Sequence, residues 1–329
     1  MNTAVQPTRT AAPDEAAFLS LVVARKERIA RDIFLFELRD PHGAELPAFT
    51  PGSHLTLEAP NGCRRNYSIC NAPHETRCYE IAVKRDSNGR GGSISIADDA
   101  GVGQRVRAIG PRNNFELSTH AGQFIFVAGG IGITPIVSMM RHLKHTDGGP
   151  FALHYLTRDA QSTAFLKELR EEFPGCVHLH HDNGDSEQAM DLWGLFERPR
   201  KAHVYCCGPK GLMDSVRDMT GHWTAGTVHF ESFGVDSRIQ AVNSPFTVRL
   251  QRSGTRIEVA SHESMLDALR RHGTQVSSSC ESGTCGSCRT RVLAGEPDHR
   301  DLVLSDEEKS SYVIVCTSRS RTPELVLDL

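Results

Sequence analysis

No apolar run in this 329-residue sequence approaches the roughly 18 residues that a bilayer-spanning helix needs, so a membrane-spanning protein is not expected. Basic charge is not in excess: 37 Lys and Arg stand against 40 Asp and Glu, a formal net charge of -3. A nucleic-acid binder usually concentrates basic residues on one face, and that class is disfavoured here. Internal repeats and low-complexity tracts are absent. The first residues, Met1 to Glu15, hold two prolines and no continuous apolar stretch of the kind a secretory signal carries. A disordered tail over residues 1–17 and a cytoplasmic protein are therefore expected. What is present is ordinary for a globular chain, with 39% hydrophobic and 23% charged residues, and the length suits two or three domains.

The ten cysteines are many for a cytosolic chain. Cys63, Cys70, Cys78, Cys176, Cys206 and Cys207 are scattered or adjacent and form no framework. The other four read Cys280-Glu-Ser-Gly-Thr-Cys285-Gly-Ser-Cys288, then Cys316 after 27 residues. This C-x4-C-x2-C…C order is the plant-type [2Fe-2S] spacing. Soft thiolates hold iron and share its charge. Ser282, Gly283, Gly286 and Ser287 are small, so backbone N–H groups can close around the inorganic sulfides. A zinc ribbon would show two C-x2-C pairs, and only one occurs.

The chain changes character twice. Residues 18–118 alternate short strand-forming runs, such as Ile33 to Leu38 and Tyr79 to Val83, with turn clusters such as Asp40-Pro41-His42-Gly43. An antiparallel barrel or sandwich follows. Residues 119–234 alternate strands (Phe124 to Val127, Ala152 to Leu156, Val177 to His180, His203 to Cys206) with helical patterns (Ile136 to Leu143, Ala164 to Phe173), which implies an open parallel α/β sheet. Residues 235–244 are polar and irregular, a linker. Residues 245–329 begin with two strands and a short helix, Ser264 to Arg271, ahead of the cysteine loop.

Two further motifs point to phosphorylated cofactors. Gly129-Gly130-Ile131-Gly132-Ile133-Thr134-Pro135 follows a strand and opens a helix, with Thr134 expected to cap it and Pro135 suited to its first turn. Such a helix N-terminus can seat a pyrophosphate, although the run lacks the G-x-G-x-x-G fingerprint and a bare strand-to-helix turn reads the same way. Thr157-Arg158-Asp159 and Cys207-Gly208-Pro209 end later strands at the same carboxyl edge, where open α/β sheets bind ligands. Arg158 could hold a phosphate or stack on adenine, and Asp159 would repel a 2′-phosphate, favouring NADH; a surface ion pair is the alternative. In the barrel segment, Arg65-Asn66-Tyr67-Ser68 offers the side chains a flavin site needs. Ala82-Val83-Lys84 ends a strand, and Arg90-Gly91-Gly92-Ser93 makes a second anion cradle before a helix.

Taken in order, R-x-Y-S, G-G-x-G-x-T-P, C-G-P, F-E-x-F and C-x4-C-x2-C…C resemble the phthalate dioxygenase reductase family. These are FMN and [2Fe-2S] oxygenase reductases of the ferredoxin–NADP reductase superfamily, and the resemblance runs from about Leu19 to Leu329. It implies a Greek-key antiparallel β-barrel binding FMN, a Rossmann-like α/β domain binding NADH, and a β-grasp α+β ferredoxin. It implies that Arg65, Asn66, Tyr67 and Ser68, with Ala82, Val83 and Lys84, line FMN. Arg90, Gly91, Gly92 and Ser93 would hold its phosphate, and Phe233 would stack on the ring. Asn66 stands where the family pattern has threonine. Gly129, Gly130, Gly132, Thr134, Thr157, Arg158, Cys207, Gly208 and Pro209 would meet NADH. Ser68, Cys207 and Glu231 would line the hydride path, and Cys280, Cys285, Cys288 and Cys316 would hold the cluster. FMN over FAD rests on the resemblance, the R-G-G-S cradle and the C-terminal place of the ferredoxin. The implied function is NADH-driven electron supply, one electron at a time, to a terminal Rieske-type oxygenase. An FAD- or NADPH-using reductase for an O-demethylase or cytochrome is the alternative. A monomer without nucleic-acid or membrane partners is expected, docking its oxygenase through an acidic rim with Glu281 and Asp301.

Overall fold

The structure, a computed structural model, describes residues 18–329 except 88, 90, 234–242, 262, 279–282, 284–285 and 302. The expected tail, most of the linker, Arg90, Cys280, Glu281, Ser282 and Cys285 lie outside the described residues.

The first sheet has six antiparallel strands: β1 (Leu19–Ala30), β2 (Ile33–Arg39), β3 (Ser53–Glu58), β4 (Arg64–Ser68), β5 (Tyr79–Lys84) and β6 (Arg105–Asn113). Their order is β4-β3-β6-β1-β2-β5, and a bridge between Ile69 and Ile81 joins the two ends, giving the expected Greek-key barrel. The alternation of β2 explains why nearly all of it is apolar. Phe36 and Leu38 fill the barrel, while Ile33 and Leu35 point the other way into a second core. A strand covered on both faces reads as a continuous apolar run. Helix α1 (Gly92–Asp99) packs beside β5.

The second sheet is parallel, in the order β11-β10-β7-β8-β9, as the strand–helix alternation predicts. Its elements are β7 (Phe124–Gly129), α2 (Ile133–Thr146), β8 (Phe151–Thr157), α3 (Leu166–Glu172), β9 (Val177–His181), α4 (Trp193–Phe196), β10 (His203–Cys207), α5 (Lys210–Met219) and β11 (Val228–Glu231). Phe124, Phe126 and Ala128 of β7 face α2, and Ile125 and Val127 face the α4 and α5 side. The core around α2 also takes in Ile33, Leu35, Cys70, Ala82 and Phe115 of the barrel segment, so one apolar cluster spans both units.

The third unit pairs β12 (Phe246–Leu250), β13 (Arg256–Val259), β14 (Arg289–Ala294), β16 (Tyr312–Ile314) and β18 (Glu324–Leu327) in the order β13-β12-β18-β14-β16, with β15 (Pro297–Asp298) against β17 (Arg319–Ser320). Among the described strands of this unit only β12 and β18 run parallel. Helix α6 (Met265–Arg271) starts at a capping box in which Ser264 and Asp267 satisfy each other's backbone N–H groups. Its Met265, Leu266, Ala268 and Leu269 complete the core of this β-grasp unit. A short α7 (Asp306–Lys309) precedes β16. No helix among the described residues is long and apolar enough to cross a membrane.

Candidate functional site

Strands β7, β10 and β11 carry their motifs to the same carboxyl edge. In register, Cys207 lies between Ala128 and Glu231. The glycine turn and the Cys207-Gly208-Pro209 loop are pressed together: a Cβ on Gly132 would come within 2.1 Å of the Cys207 carbonyl oxygen, and one on Gly129 within 2.6 Å of Pro209 Cδ. Their glycines are required by this contact. Gly130 differs, with φ +53 and open space where a side chain would stand. Thr134 does not cap α2 as expected. It lies inside the first turn, and its hydroxyl donates back to the Ile131 carbonyl at 3.0 Å, because the helix begins at Ile133.

Two candidate catalytic residues from different units meet here. Ser68, at the end of β4 and buried, directs its hydroxyl at Glu231 Oε2 at 3.5 Å. The Cys207 thiol is fully buried. Burial, then the Glu231 carboxylate and the neighbouring Cys206, hold it well above the ordinary thiol range, so it stays protonated. Phe233, two residues beyond β11, is 39% exposed.

Further along the edge, Thr157 is buried and its hydroxyl lies 2.7 Å from Thr163 Oγ1. Arg158 is exposed and runs beside Gly184. The Asp159 carboxylate accepts from Ser162 N–H at 2.8 Å and pairs with Arg31 at 3.1 Å. Its charge is compensated, so the ion-pair reading of Asp159 is the one observed, and repulsion of a 2′-phosphate by this residue is weakened.

The anion cradle of the barrel forms where α1 begins. Gly91 takes φ +81 as its N-cap, leaving the first-turn N–H groups without a side-chain cap. The Arg65 side chain lies across this end: a Cβ on Gly92 would stand 3.0 Å from Arg65 Cγ and 3.1 Å from Nε. Unfilled N–H donors beside a guanidinium fit a phosphate. The Ser93 hydroxyl accepts from Asp86 N–H at 3.2 Å. Asn61, which the sequence analysis does not single out, donates to the Gly91 carbonyl at 3.3 Å and so fixes the cradle; its place in an Ala-Pro-Asn-Gly turn is the available signal. Asn66 accepts from Thr56 Oγ1 at 2.7 Å, and Tyr67 is half-buried with its phenol pushed up by burial. Ala82 and Val83 are buried and Lys84 is exposed at the strand end.

In the third unit, Cys288 and Cys316 are both buried. Pairing of Arg289 with Ile314 brings Cys288 opposite Val315, next to Cys316, and Val315 N–H reaches the Cys288 carbonyl at 3.5 Å. Gly283 and Gly286 take φ +78 and +73, a left-handed turn conformation that glycine adopts without steric cost. Two buried thiols beside such a loop fit a [2Fe-2S] group. Asp301 is not on an acidic rim: its side chain is 0% exposed, and its Oδ2 accepts from Val303 and Leu304 N–H at 3.2 and 2.8 Å. One of its two carboxylate oxygens is consumed by turning its own loop.

Family models match three stretches: an oxidoreductase FAD-binding domain at residues 20–117, an oxidoreductase NAD-binding domain at 126–218 and a 2Fe-2S iron-sulfur cluster binding domain at 248–321. The chain is 56% identical over 319 residues to the phthalate dioxygenase reductase of Burkholderia cepacia, covering 96% of this chain and 99% of that one. It is 54% identical to the phthalate 4,5-dioxygenase oxygenase reductase subunit of Pseudomonas putida, covering 95% and 97%. A solved phthalate dioxygenase reductase, described as a modular structure for electron transfer from pyridine nucleotides to [2Fe-2S], superposes with TM-score 0.90 at 55% identity, covering 97% and 100%.

Proposed function

The chain belongs to the phthalate dioxygenase reductase family, and from that membership we propose that it is the NADH-dependent reductase component of a Rieske-type aromatic oxygenase system. Its cofactors are FMN, NADH and a [2Fe-2S] cluster, and its acceptor is a terminal oxygenase, taking one electron at a time. The observation that carries this reading is the meeting of Ser68 and Glu231 across two units, with Cys207 beside them. A flavin held there would supply the conversion of a two-electron hydride donation into one-electron transfers.

The residues of this chain position those groups. Arg65, Gly91, Gly92 and Ser93, together with Arg90, hold the FMN phosphate. Asn66, Tyr67, Ser68 and Ala82 to Lys84 line the flavin, and Phe233 covers the ring where nicotinamide enters. Gly129 to Thr134 seat the pyrophosphate of NADH, and Thr157 and Arg158 face its adenosine end. Glu231 orients the nicotinamide against Ser68, while the neutral Cys207 thiol, with Gly208 and Pro209, walls the hydride path without adding charge. Cys280, Cys285, Cys288 and Cys316 ligate the cluster. Domain boundaries at 118/119, 234/235 and 244/245 and a cytoplasmic monomer complete the reading.

Anaerobic titration with NADH tests it. Flavin and cluster absorbance should bleach together in the native protein. In Cys288→Ser, NADH should still bleach the flavin, while one-electron delivery to an acceptor protein is lost. Retention of one-electron delivery, or failure of NADH to reduce the native protein, would overturn it.

A further inference from the structure

Side-chain polar atoms that are buried and without a hydrogen-bond partner are few among the described residues, and three of them belong to the third unit: His299 Nδ1, Asp301 Oδ1 and Thr317 Oγ1. Thr317 and Asp301 lie beside Gly283 of the cysteine loop. The Arg300 N–H donates to Ser318 Oγ at 3.2 Å, which lays residues 299–301 alongside Thr317. Both segments of this contact reach Gly283, where a Cβ would stand 2.8 Å from Thr317 Oγ1 and 3.3 Å from Asp301 Cα.

The chemistry of the three atoms is fixed by their other bonds. His299 Nε2 lies 3.0 Å from the Lys309 carbonyl oxygen, which can only accept, so Nε2 is the donor, and in the neutral ring Nδ1 presents a lone pair. Asp301 Oδ2 is occupied by Val303 and Leu304 N–H, leaving Oδ1 as a second acceptor. The two acceptors are 3.7 Å apart, too far for a direct hydrogen bond. Thr317 brings a hydroxyl that can donate. Two acceptors and one donor are the complement of a water molecule, which offers two O–H groups and accepts a bond; buried waters typically make about three such bonds.

Resting on the cluster assignment above, we propose that His299, Asp301 and Thr317 bind one internal water, and that this water is the hydrogen-bonded floor that positions the cluster-binding loop. Asp301 then acts with both oxygens. Oδ1 holds the floor under Gly283, and Oδ2 holds the turn that lays Val303 against Gly286, where its Cγ2 stands 3.5 Å from a would-be Cβ. These are positioning residues, acting on the cluster through the loop.

The test uses the full-length holoprotein in three forms: native, Thr317→Val, which keeps the shape and removes the hydroxyl, and Thr317→Ser, which restores it. A high-resolution crystal structure of the native protein should show one water within hydrogen-bonding distance of all three atoms, and the Val form should lack it. Loss of the cluster, followed by visible circular dichroism, should be about three to ten times faster in the Val form, the factor expected for one lost hydrogen bond, and native-like in the Ser form. Flavin reduction by NADH should be equal in all three, showing that the rest of the chain is folded. Absence of that water from the native crystal, or cluster loss at the native rate in Thr317→Val, would overturn the floor. Failure of the native protein to carry any cluster would instead overturn the cluster assignment.

Discussion

Glu231 combines two duties that its chemistry makes inseparable. It receives the Ser68 hydroxyl from the barrel, and its charge helps keep the Cys207 thiol protonated. Glu231→Gln preserves the shape but removes the charge. Flavin reduction by NADH, followed by stopped flow, should then slow by about tenfold to a hundredfold, the range for losing a hydrogen bond to a charged group. An unchanged rate would reduce Glu231 to a local cap. At this scale the sequence singles residues out by type, and the structure brings Ser68 to Glu231 and lays Arg65 beside Gly92 at the start of α1. The sequence misled where the direction of a short side chain decides the role. Nothing in Asp301-Leu302-Val303-Leu304 reveals that the carboxylate folds onto its own backbone, or that Thr134 bonds backward to Ile131 rather than forward as a cap.

Strands β8 and β9 show how an element sets a pH response. His154 and His178 are register partners, and His180 follows on the same face, its Nε2 3.2 Å from His154 Nδ1. Burial first, then His178 and His180, push the His154 imidazole down to about 4. In the unfolded chain it takes a proton near 6.5, so between those values the unfolded state binds more protons and stability falls as pH falls. We expect a loss on the order of 1–2 kcal/mol from pH 7 to pH 4, below full linkage because the neighbouring rings are partly solvated. Urea unfolding at the two pH values should show a smaller drop in His154→Leu; an equal drop would clear the histidine stack of the effect. Element types were legible because β7 and β2 carry apolar runs of strand length and α2 carries a helical period. Ends were less so, since backbone angles set them: Phe165 adopts φ +57 and delays α3 to Leu166, and the turn at Gly130 to Gly132 lets α2 start at Ile133.

For the whole molecule, α2 joins barrel and α/β unit. Arg141 pairs with Glu172 at 2.8 Å and reaches Glu80 at 3.6 Å and the Cys70 carbonyl at 3.2 Å, while the Ser138 hydroxyl donates to the Asn71 carbonyl at 2.9 Å. Removing one member of a largely buried ion cluster leaves the others uncompensated, at a cost of about 3–5 kcal/mol. Arg141→Ala should therefore lower the thermal midpoint for flavin release and slow NADH-driven flavin reduction, while the circular dichroism of the cluster is unaltered; a cluster signal lost in step with the flavin would contradict this. No sequence pattern announces such a seam, because its partners are 61 and 31 positions away from Arg141 (141 − 80 and 172 − 141) and each looks like an ordinary surface charge. The shared core also governs how such a chain can be cut and rejoined. An exchange of segments at 118/119 would separate Ile33, Leu35, Cys70, Ala82 and Phe115 from the side chains they pack against, whereas among the described residues the core of the third unit draws on none before Phe246. For recombination, in a lineage or at the bench, the molecule is two exchangeable cassettes rather than three, with the flavin and nicotinamide halves inherited together.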